Sequence, residues 1–311
     1  MNWNKRLLKT PIIGEITKKI ASMKVNHDAY NIAEHFTQFL QPEVATNQAL
    51  KEEAFKIRHN VYCEELAFED VKEGGQEKDE FDDQSIFSLI KHKPSNTYTS
   101  CVRVVRIEKE EQLLPIEKFC IDSIANQALH PSHFKRSEIC EISRLAVKAD
   151  FRRRKTDKFK GSSTGAIQES SYSETELRCF PFIAIGLYMA AATMAIDTGI
   201  KHVYVMMEPR LARSMRFVGI NFQALGDPIN YHGLRAPYYI NPDIFLSNLS
   251  PGFKSLYQSI EHDICKQLSS LKLKSDYPDS SVPFKGLYRI KDILRAIRTD
   301  SFVELESPQY T

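Results

Sequence analysis

Short apolar runs separated by turn residues predict a β-hairpin in the first third of the chain. SIFSLIKHK (85–93) and YTSCVRVVRI (98–107) have the apolar density of strands, and the turn sequence PSNT separates them. EICEISRLAV (138–147) predicts a third strand in the same way. Upstream of the hairpin, apolar residues recur at helical spacing over residues 47–66. The first half is therefore expected to supply antiparallel strands preceded by a helix.

The second half alternates helical and strand patterns. FPFIAIGLYMAAATMAI (180–196) carries no charge, but it is shorter than the ~20 residues that span a bilayer, and it leads into a strand at 202–208. It therefore predicts a buried helix. A helix beginning at Pro209, one or two strands within 222–240 and an amphipathic helix at 252–268 follow. The two halves together predict an α/β fold with a mixed sheet and helices on both faces.

The same patterns divide the chain into one domain with two extensions. Residues 1–45 are predicted to form a peripheral helical extension that ends near Pro42, and residues 46–272 form the domain. Residues 155–178 are polar without apolar periodicity, which predicts a long mobile loop within the domain. Residues 273–311 are predicted to form a helical and polar tail.

Composition narrows the function classes. The chain has 311 residues, 42% of them apolar and 26% charged, with a net charge of +2. This is an ordinary globular balance that gives no global reason to expect nucleic-acid binding. The six cysteines are scattered without a CxxC pair, so we expect reduced thiols and no metal site. The basic N-terminus lacks the apolar core of a signal peptide, which predicts a cytoplasmic protein.

Charged residues interrupt two strands that otherwise have core character. Arg103 lies within CVRVV, and Glu141, Ser143 and Arg144 lie within EICEISRLAV. Charges are rare in a core strand unless they are paired or used. Because alternate residues of a strand face opposite sides, Glu141 and Ser143 are expected on one face and Arg144 on the other. Structural ion pairs and a functional site both fit this pattern.

The acidic stretch EKDEFD follows the predicted helix that carries Arg58. Its carboxylates Glu77, Asp79 and Asp82 are typical of a solvated acidic loop, or of a site that holds an ammonium group and accepts its proton. A calcium loop is disfavoured, because the glycine and the terminal glutamate of such a loop are misplaced here.

A basic segment follows the third predicted strand directly. FRRRKTDKFK (151–160) has six basic residues against one acidic residue and includes Arg152, Arg153 and Arg154. A solvated charge run is the simplest interpretation. Its position immediately after a core strand favours an anion-binding site.

Taken in order, these residues resemble one enzyme family. Arg58 and Tyr62 on a helix, the aromatic Phe68, the acidic loop, Arg103 and then Glu141-x-Ser143-Arg144 resemble the acyl-homoserine-lactone (autoinducer) synthases of the GNAT superfamily. The segments IRHNVYCEELAFE, LLPIEKFC and EISRLAVKADFRRR are more similar to the N-acyl amino acid synthases and to the exosortase (PEP-CTERM)-system-associated acyltransferases. The resemblance covers about residues 50–240.

This resemblance implies a fold and a set of roles. The expected GNAT acyltransferase fold has a mixed, mostly antiparallel central sheet with helices on both faces, and it is splayed at the acyl-donor cleft. Catalytic roles are implied for Glu141, Glu77 and Ser143. Substrate-binding roles are implied for Arg58, Phe68, Asp79, Asp82, Arg103 and Arg144, with Arg144 paired to the acidic loop. Binding of acyl carrier protein or its phosphopantetheine is implied for Arg152, Arg153 and Arg154.

The donor in these families is usually acyl carrier protein rather than free coenzyme A. The spaced glycines of the superfamily's coenzyme-A loop are missing after Val147, and the arginine cluster suits an acidic carrier. Coenzyme A thioesters stay open as alternative donors, and no bound cofactor is expected. The acyl tail is expected in an apolar tunnel formed by the helix Phe180–Met194 and by Val203, Val205 and Met207. The segment YHGLRAP (231–237) is expected to close the cleft.

We therefore predict an N-acyltransferase that moves a fatty acyl chain from acyl carrier protein to the amine of an amino acid or a similar small amine. No transmembrane span is expected, although peripheral membrane contact stays open. An acyl-homoserine-lactone synthase is the alternative within the class, and it requires S-adenosylmethionine and a lactonising step. A non-catalytic acyl-binding or sensor module is the alternative outside it, and the retained carboxylates argue against it.

Overall fold

The computed structural model describes residues 28–152 and 182–274 of the chain. They contain eight strands that form one connected sheet: β1 (Leu40–Val44), β2 (Ser85–His92), β3 (Thr97–Arg106), β4 (Ile139–Val147), β5 (His202–Met207), β6 (Gln223–Ala224), β7 (Ile229–Asn230) and β8 (Leu234–Ile240). The spatial order is β1-β2-β3-β4-β5-β8-β6, and β7 pairs with β8. All pairs are antiparallel except β4 with β5. The predicted mixed sheet is therefore present.

Helices lie on both faces of this sheet. The α-helices are α1 (Asp28–Phe39), α2 (Gln48–Arg58), α3 (Pro115–Phe119), α4 (Ile183–Asp197), α5 (Pro209–Met215), α6 (Pro242–Asn248) and α7 (Pro251–Lys274). A π-helical segment, His59–Glu65, continues α2. Short 3-10 helices lie at Asp82–Gln84, Ile121–Ser123, Gln127–Leu129, Pro131–His133, Arg136–Glu138, Ala149–Phe151 and Arg216–Val218. The predicted mobile loop at 155–178 and all but the first two residues of the predicted tail lie outside the described residues.

The N-terminal prediction of a peripheral helix up to Pro42 is wrong in its last part. The helix ends at Phe39, and β1 pairs antiparallel with β2 as the edge strand of the sheet. Pro42 lies inside β1, where an edge strand tolerates a residue without a backbone N–H. The Gln267 side chain of α7 covers this edge, because it accepts from the backbone N of Val44 at 2.7 Å and donates to the Pro42 carbonyl at 3.0 Å.

The larger core lies between the sheet and α4. Helix α4 is apolar on all sides, because it is enclosed between β2–β4, α1 and α7. A side chain at Gly186 would come within 3 Å of the Phe36 ring, so this glycine allows α1 to pack closely against α4. None of the helices in the described ranges is both long and apolar enough to cross a membrane.

Strands β4 and β5 pair only at their beginnings. Their parallel register covers Ile139–Glu141 against His202–Tyr204. Beyond these residues the two strands have no pairing with each other, while β5 continues to pair with β8 up to Met207. The sheet is therefore open between the second half of β4 and the end of β5. Glu141 is the last paired residue before this opening.

The ladder between β3 and β4 changes register beside the same opening. Arg103 lies opposite Ser143, and two residues earlier Cys101 lies opposite Ala146. Two residues of β4 therefore face one residue of β3, which defines a β-bulge. Arg144, the first residue of the bulge, has a φ of 50°, in the left-handed region that residues with a side chain rarely occupy. The alternation of faces along β4 is broken at this residue.

Candidate active site

A buried network of charges joins the end of α2, the acidic loop and β3. The guanidinium of Arg58, at the end of α2, pairs with Glu77 and donates to Asp82 Oδ1 at 2.6 Å. Arg103 of β3 donates to the same Asp82 oxygen at 2.7 Å and also pairs with Asp79. Arg58, Glu77, Asp82 and Arg103 are all buried. The acidic stretch is therefore part of the core, and its interpretation as a solvated loop is wrong for these carboxylates.

Backbone hydrogen bonds fix the acidic loop against α2. The backbone N of Glu77 donates to the carbonyl of Phe55 at 3.1 Å, which ties the start of the loop to the helix. Asp79 and Asp82 fold the loop on itself, because the backbone N of Asp79 donates to Asp82 Oδ2 at 2.8 Å. The backbone N of Phe81 in turn donates to Asp79 Oδ1 at 3.0 Å. These hydrogen bonds anchor the loop to α2 and to itself without a contribution from substrate.

The ion pairs keep this network charged despite its burial. Burial alone would lower the pKa of Arg58, but Glu77 and Asp82 outweigh it and the pKa is raised. Burial likewise favours the neutral form of Asp79, but Arg103 outweighs it and the pKa of Asp79 is lowered. Each guanidinium is thus stabilised by the carboxylates around it.

Arg144 joins the same network because of the bulge. Its Nη2 lies 3.2 Å from Asp79 Oδ2 and 3.2 Å from Glu69 Oε1, and its Nε donates to Glu77 Oε1 at 3.4 Å. Its guanidinium also lies over the Tyr62 ring, 5.7 Å from the centroid. The resemblance implied that Arg144 pairs with the acidic loop, and Arg144 contacts Glu77 and Asp79 of this loop. The expectation that it faces away from Glu141 and Ser143 is wrong, because the left-handed backbone turns it to their side.

Glu141 has no such partner. Its side chain is 2% exposed, and its Oε2 accepts from the backbone N of Ile116, at the start of α3, at 2.6 Å. Among residues 28–152 and 182–274, no cation lies within ion-pair distance of it. Burial raises the pKa of Glu141 to about 8, although the Ile116 N–H and the more distant Arg103 and Arg144 oppose the shift. Glu141 is therefore able to gain and lose a proton near neutral pH.

These groups meet in one cleft at the opening between β4 and β5. It encloses about 570 Å³ of empty space, the open mouth included. Six of the predicted site residues line it, namely Phe68, Asp79, Arg103, Glu141, Ser143 and Arg144. Arg58, Glu77 and Asp82 are not part of its lining and lie behind it in the buried network. The role predicted for Glu77 as a proton acceptor is therefore not supported by its position, which is between two guanidiniums.

Ser143 lies between the network and the cleft. Its Oγ accepts from Arg103 Nε at 3.1 Å, so its own hydroxyl hydrogen is available to donate elsewhere. The hydroxyl is part of the cleft lining together with Glu141. Both residues stand on the same face of β4, as the alternation of the strand predicts.

Arg152 lies apart from the cleft. The chain leaves β4 through a 3-10 turn at Ala149–Phe151, so it is no longer extended when it reaches Arg152. Arg152 pairs with Glu65, and its side chain is only 9% exposed. This residue is therefore not part of an exposed docking surface for a carrier protein. Arg153 and Arg154 lie outside the described residues.

Several cleft residues were not identified from the sequence. The β7–β8 hairpin places Tyr231, His232 and Arg235 in the lining, which also contains Glu69 and Phe119, the last residue of α3. The segment containing the first three was expected to close the cleft, but nothing in it indicated a role. The glycine at position 233 could have indicated the turn from the sequence. In the structure Gly233 has a φ of 94°, and it follows His232, which has a φ of 48°.

A second pocket lies on the other face of the sheet. It encloses about 400 Å³ and is almost entirely apolar. Ile142 of β4 and Val203 of β5 form its floor, and Tyr188 and Ala192 of α4 form one wall. These residues include parts of the predicted acyl tunnel, although Val205 and Met207 are not in the lining. The two pockets thus lie on opposite sides of the strands that splay apart.

The fold and this site define a class of protein. A family model described as an acetyltransferase (GNAT) domain matches residues 57–160, which carry Arg58, the acidic loop and strands β2 to β4. The matched segment is similar to this domain over its whole length from residue 57 to residue 160. The match confirms the predicted fold class and the prediction that the chain is an acyltransferase.

Several solved structures have a chain path similar to that of this protein. A structure of TofI in a ternary complex with an inhibitor and MTA is 15% identical, covering 70% of this chain and 96% of that one, with a TM-score of 0.48. The structure of FeeM, an N-acyl amino acid synthase from uncultured soil microbes, is 12% identical over 68% of this chain and 94% of FeeM, with a TM-score of 0.44.

BjaI, a CoA-dependent acyl-homoserine lactone synthase solved with SAM and isopentyl-CoA, is 18% identical. The alignment covers 71% of this chain and 89% of BjaI, with a TM-score of 0.44. No curated protein matches the sequence. At these identities and TM-scores the similarities carry no argument about donor or acceptor, so the function has to be argued from the site.

Proposed function

We propose that the chain is an N-acyltransferase that moves a fatty acyl group from acyl carrier protein to the amine of an amino acid or a similar small amine. The observation that carries this proposal is Glu141, a buried carboxyl with a pKa of about 8 that lines a cleft at the opening between β4 and β5. An amine nucleophile needs a base of this strength at this kind of place.

Glu141 supplies the proton acceptor. The bound acceptor arrives as an ammonium ion, and the Glu141 carboxylate removes one proton directly or through a water molecule. The neutral nitrogen then attacks the thioester carbonyl, which forms the C–N bond. The C–S bond breaks, and the nitrogen loses its second proton. The thiolate that leaves takes up the proton held by Glu141, and the second proton of the nitrogen passes to solvent, so the products are an amide, a thiol, a released proton and the regenerated carboxylate.

The charged network orients the acceptor. Asp79 and Glu69 are partly exposed at the cleft and supply oxygen atoms that can hold an ammonium group before it is deprotonated. The Ser143 hydroxyl, fixed by Arg103, can donate towards the reacting groups. The oxyanion that forms on the thioester requires donors of its own. The backbone edges of β4 after Glu141 and of β5 after Tyr204 face the opening without pairing to each other, and their N–H groups are candidates.

The apolar pocket supports an acyl substrate. A donor thioester at the opening between β4 and β5 stands between the polar cleft and the pocket floored by Ile142 and Val203. Burial of a fatty tail there is favourable by about 0.8 kcal/mol for each methylene group. The choice of acyl carrier protein over coenzyme A rests on the basic segment 151–160, of which only Phe151 and Arg152 are described.

Acyl-homoserine-lactone synthesis is a second candidate with support of its own. The ordered residues on which the resemblance to autoinducer synthases rests assemble into one site, from Arg58 through Asp82 and Arg103 to Arg144. This reaction begins with the same acylation of an amine, that of S-adenosylmethionine. The site as described suits either acceptor.

The test is a transfer assay with defined donors and acceptors. The purified chain is incubated with palmitoyl or octanoyl acyl carrier protein, or the same acyl-CoA, and with a panel of amino acids or S-adenosylmethionine. Mass spectrometry of the products should show N-acyl amino acids formed from the carrier-bound donor. Acyl lactone from S-adenosylmethionine alone would favour the second candidate, and preference for acyl-CoA would correct the donor. No transfer with any combination would refute the proposal.

The pH dependence of the same assay examines the base. Since Glu141 accepts a proton only when it is ionised, kcat/KM should rise as the pH passes through about 8 and then level off. A rate that is constant between pH 6 and 9 would show that the ionisation of Glu141 does not control the reaction.

A further inference from the structure

Arg235 is the cleft arginine whose charge is not matched by a carboxylate. It lies at the start of β8, half-buried, and belongs to the same lining as Glu141 and Ser143. Its Nε donates to the carbonyl of His232 at 3.3 Å, and its guanidinium carbon lies 6.0 Å from the centroid of the Phe68 ring. Within the described ranges, its two terminal nitrogens have neither a carboxylate nor a hydrogen-bond acceptor.

The other arginines of the site have the opposite surroundings. Arg58, Arg103 and Arg144 each contact at least two carboxylates. The guanidinium of Arg235 is held by one hydrogen bond and one ring contact, and its two terminal nitrogens are left without a partner among the described residues. A carboxylate matches these two nitrogens with two parallel charge-assisted hydrogen bonds.

The charged groups of the cleft differ in their partners. Asp79 and Glu69 are carboxylates held by Arg103 or Arg144, and Glu141 is a carboxyl group with no cation within ion-pair distance among the described residues. Arg235 of β8 is the cation of the lining that has no carboxylate partner among the described residues. A simple amine would be complementary to the carboxyl groups only. A zwitterion, with an ammonium and a carboxylate on one carbon, would be complementary to the carboxyl groups and to Arg235.

Aromatic side chains connect the two charged sides. Phe81 contacts Phe119, which stacks on Tyr231, and the ring centroids lie 6.0 Å apart in both pairs. Tyr231 contacts His232 at 4.8 Å, and His232 contacts Phe68 at 6.3 Å. This wall offers an apolar surface to the remainder of the acceptor.

We infer that Arg235 binds the α-carboxylate of the acceptor, which makes the substrate an α-amino acid or its derivative rather than a simple amine. The inference rests on the proposed function and narrows it. The acceptor's ammonium lies towards the acidic loop and Glu141, its carboxylate lies on Arg235, and its side chain lies along the aromatic wall. Arg235 is thereby a specificity-determining residue and takes no part in the proton transfer.

The inference is tested by binding, without turnover. Isothermal titration calorimetry compares acceptor pairs that differ only by the carboxylate: phenylalanine with 2-phenylethylamine, tyrosine with tyramine, leucine with isopentylamine, and S-adenosylmethionine with its decarboxylated form. The parent protein should bind at least one amino acid about tenfold or more tightly than its amine. Arg235→Met should weaken that amino acid about 10- to 100-fold and change the amine less than about twofold.

Two further variants distinguish a loss of carboxylate binding from a general loss of structure. Arg235→Lys keeps the charge but not the fork and should recover part of the lost affinity. Arg216→Met removes an exposed arginine outside the cleft lining and should bind every ligand like the parent. If Arg235→Met does not fold, the lysine variant and the preference of the parent protein decide the result. Equal binding of every pair by the parent, or equal weakening of amine and amino acid by the variants, would overturn the inference.

A failure of the inference about Arg235 can be told apart from a failure of the proposed acyl transfer. If the transfer assay gives acyl lactone and the S-adenosylmethionine pair shows the carboxylate preference, the inference stands and the acceptor proposal changes. If N-acyl products form from amines and amino acids alike, the function stands and the inference fails.

Discussion

The acidic loop and strand β4 each bury a glutamate to the same degree, yet the surroundings of the two side chains suit different roles. Glu77 of the loop and Glu141 of β4 are both 2% exposed. Glu77 lies between the guanidiniums of Arg58 and Arg144. Glu141 accepts only the backbone N–H of Ile116, and burial raises its pKa to about 8.

The difference shows that burial alone does not make a base. A guanidinium beside a buried carboxylate compensates the loss of hydration and keeps it charged, which suits a structural or binding role. Without such a partner, the carboxyl group of Glu141 holds its proton until the pH approaches about 8, and it can then exchange that proton with a substrate. The predictions below test whether the two regions are as separate in function as they are in surroundings.

The largest effect is expected for turnover in Glu141→Gln. The amide keeps an oxygen that can accept from the Ile116 N–H, so the fold should persist, but it cannot accept a proton. The loss of a general base lowers turnover on the order of 10²–10⁴-fold. Steady-state kinetics of the purified variant provide the measurement. Glu138→Gln, three residues earlier and paired with the exposed Lys201, is the matched control and should retain the parent rate. Unchanged turnover in Glu141→Gln would remove this carboxyl from the mechanism.

The next largest effect is expected for stability in the network around the acidic loop. Arg103→Met removes a 1% exposed guanidinium that pairs with Asp79 and Asp82. Asp82→Ala breaks the Arg103–Asp82 pair from the other side and also removes a partner of Arg58. Breaking a buried pair from one side costs ~3–5 kcal/mol of unfolding free energy. Urea denaturation measures it.

Arg106→Met is the control for this experiment. Arg106 lies three residues later in the same chain segment, with its side chain 28% exposed and paired to Glu108. Exposed pairs contribute about 0–1 kcal/mol. If Arg103→Met and Arg106→Met unfold at the same urea concentration, the network does not stabilise the fold.

The sequence predicted strands β2 to β5, α4 and most of the residues that assemble in the site, because these depend on local periodicity and on charges in apolar runs. It predicted one or two strands within 222–240, where the structure has three, and it missed β1. It failed where the backbone departs from that periodicity. The period of two placed Arg144 on the wrong face, since no glycine marks the bulge in which its φ becomes positive. Pro42 was taken as the end of a helix, although it lies in an edge strand.

Arg235 shows a different limit. Its position in the cleft depends on β8 pairing with β5 and on the hairpin folding over Phe68, more than 160 residues earlier in the chain. Nothing in the local pattern around residue 235 records this contact. Site residues that lie on a distant hairpin can therefore be identified only from the folded structure.

A smaller effect is expected in the pH dependence of stability. The pKa of glutamate is about 4.3 in an unfolded chain, and it is raised to about 8 at Glu141. Its contribution to stability is fully present below the unfolded value and is lost as the pH rises through about 8. The unfolding free energy of the parent should therefore fall between pH 6 and 9, by about 2 kcal/mol more than that of Glu141→Gln. Parallel curves for the two proteins would show that Glu141 is not neutral in the folded state at pH 6.

The smallest effect is expected for Ser143→Ala, which lies where the two regions meet. The hydroxyl accepts from Arg103 Nε at 3.1 Å and lines the cleft beside Glu141. Its removal leaves one N–H of Arg103 without its acceptor, which costs about 1 kcal/mol of stability. If Ser143 only orients the network, turnover should fall about tenfold or less while the pH profile set by Glu141 keeps its midpoint. A loss as large as that of Glu141→Gln would instead place the hydroxyl among the groups that touch the reacting atoms. Urea denaturation and a pH–rate profile of the same preparation separate these outcomes.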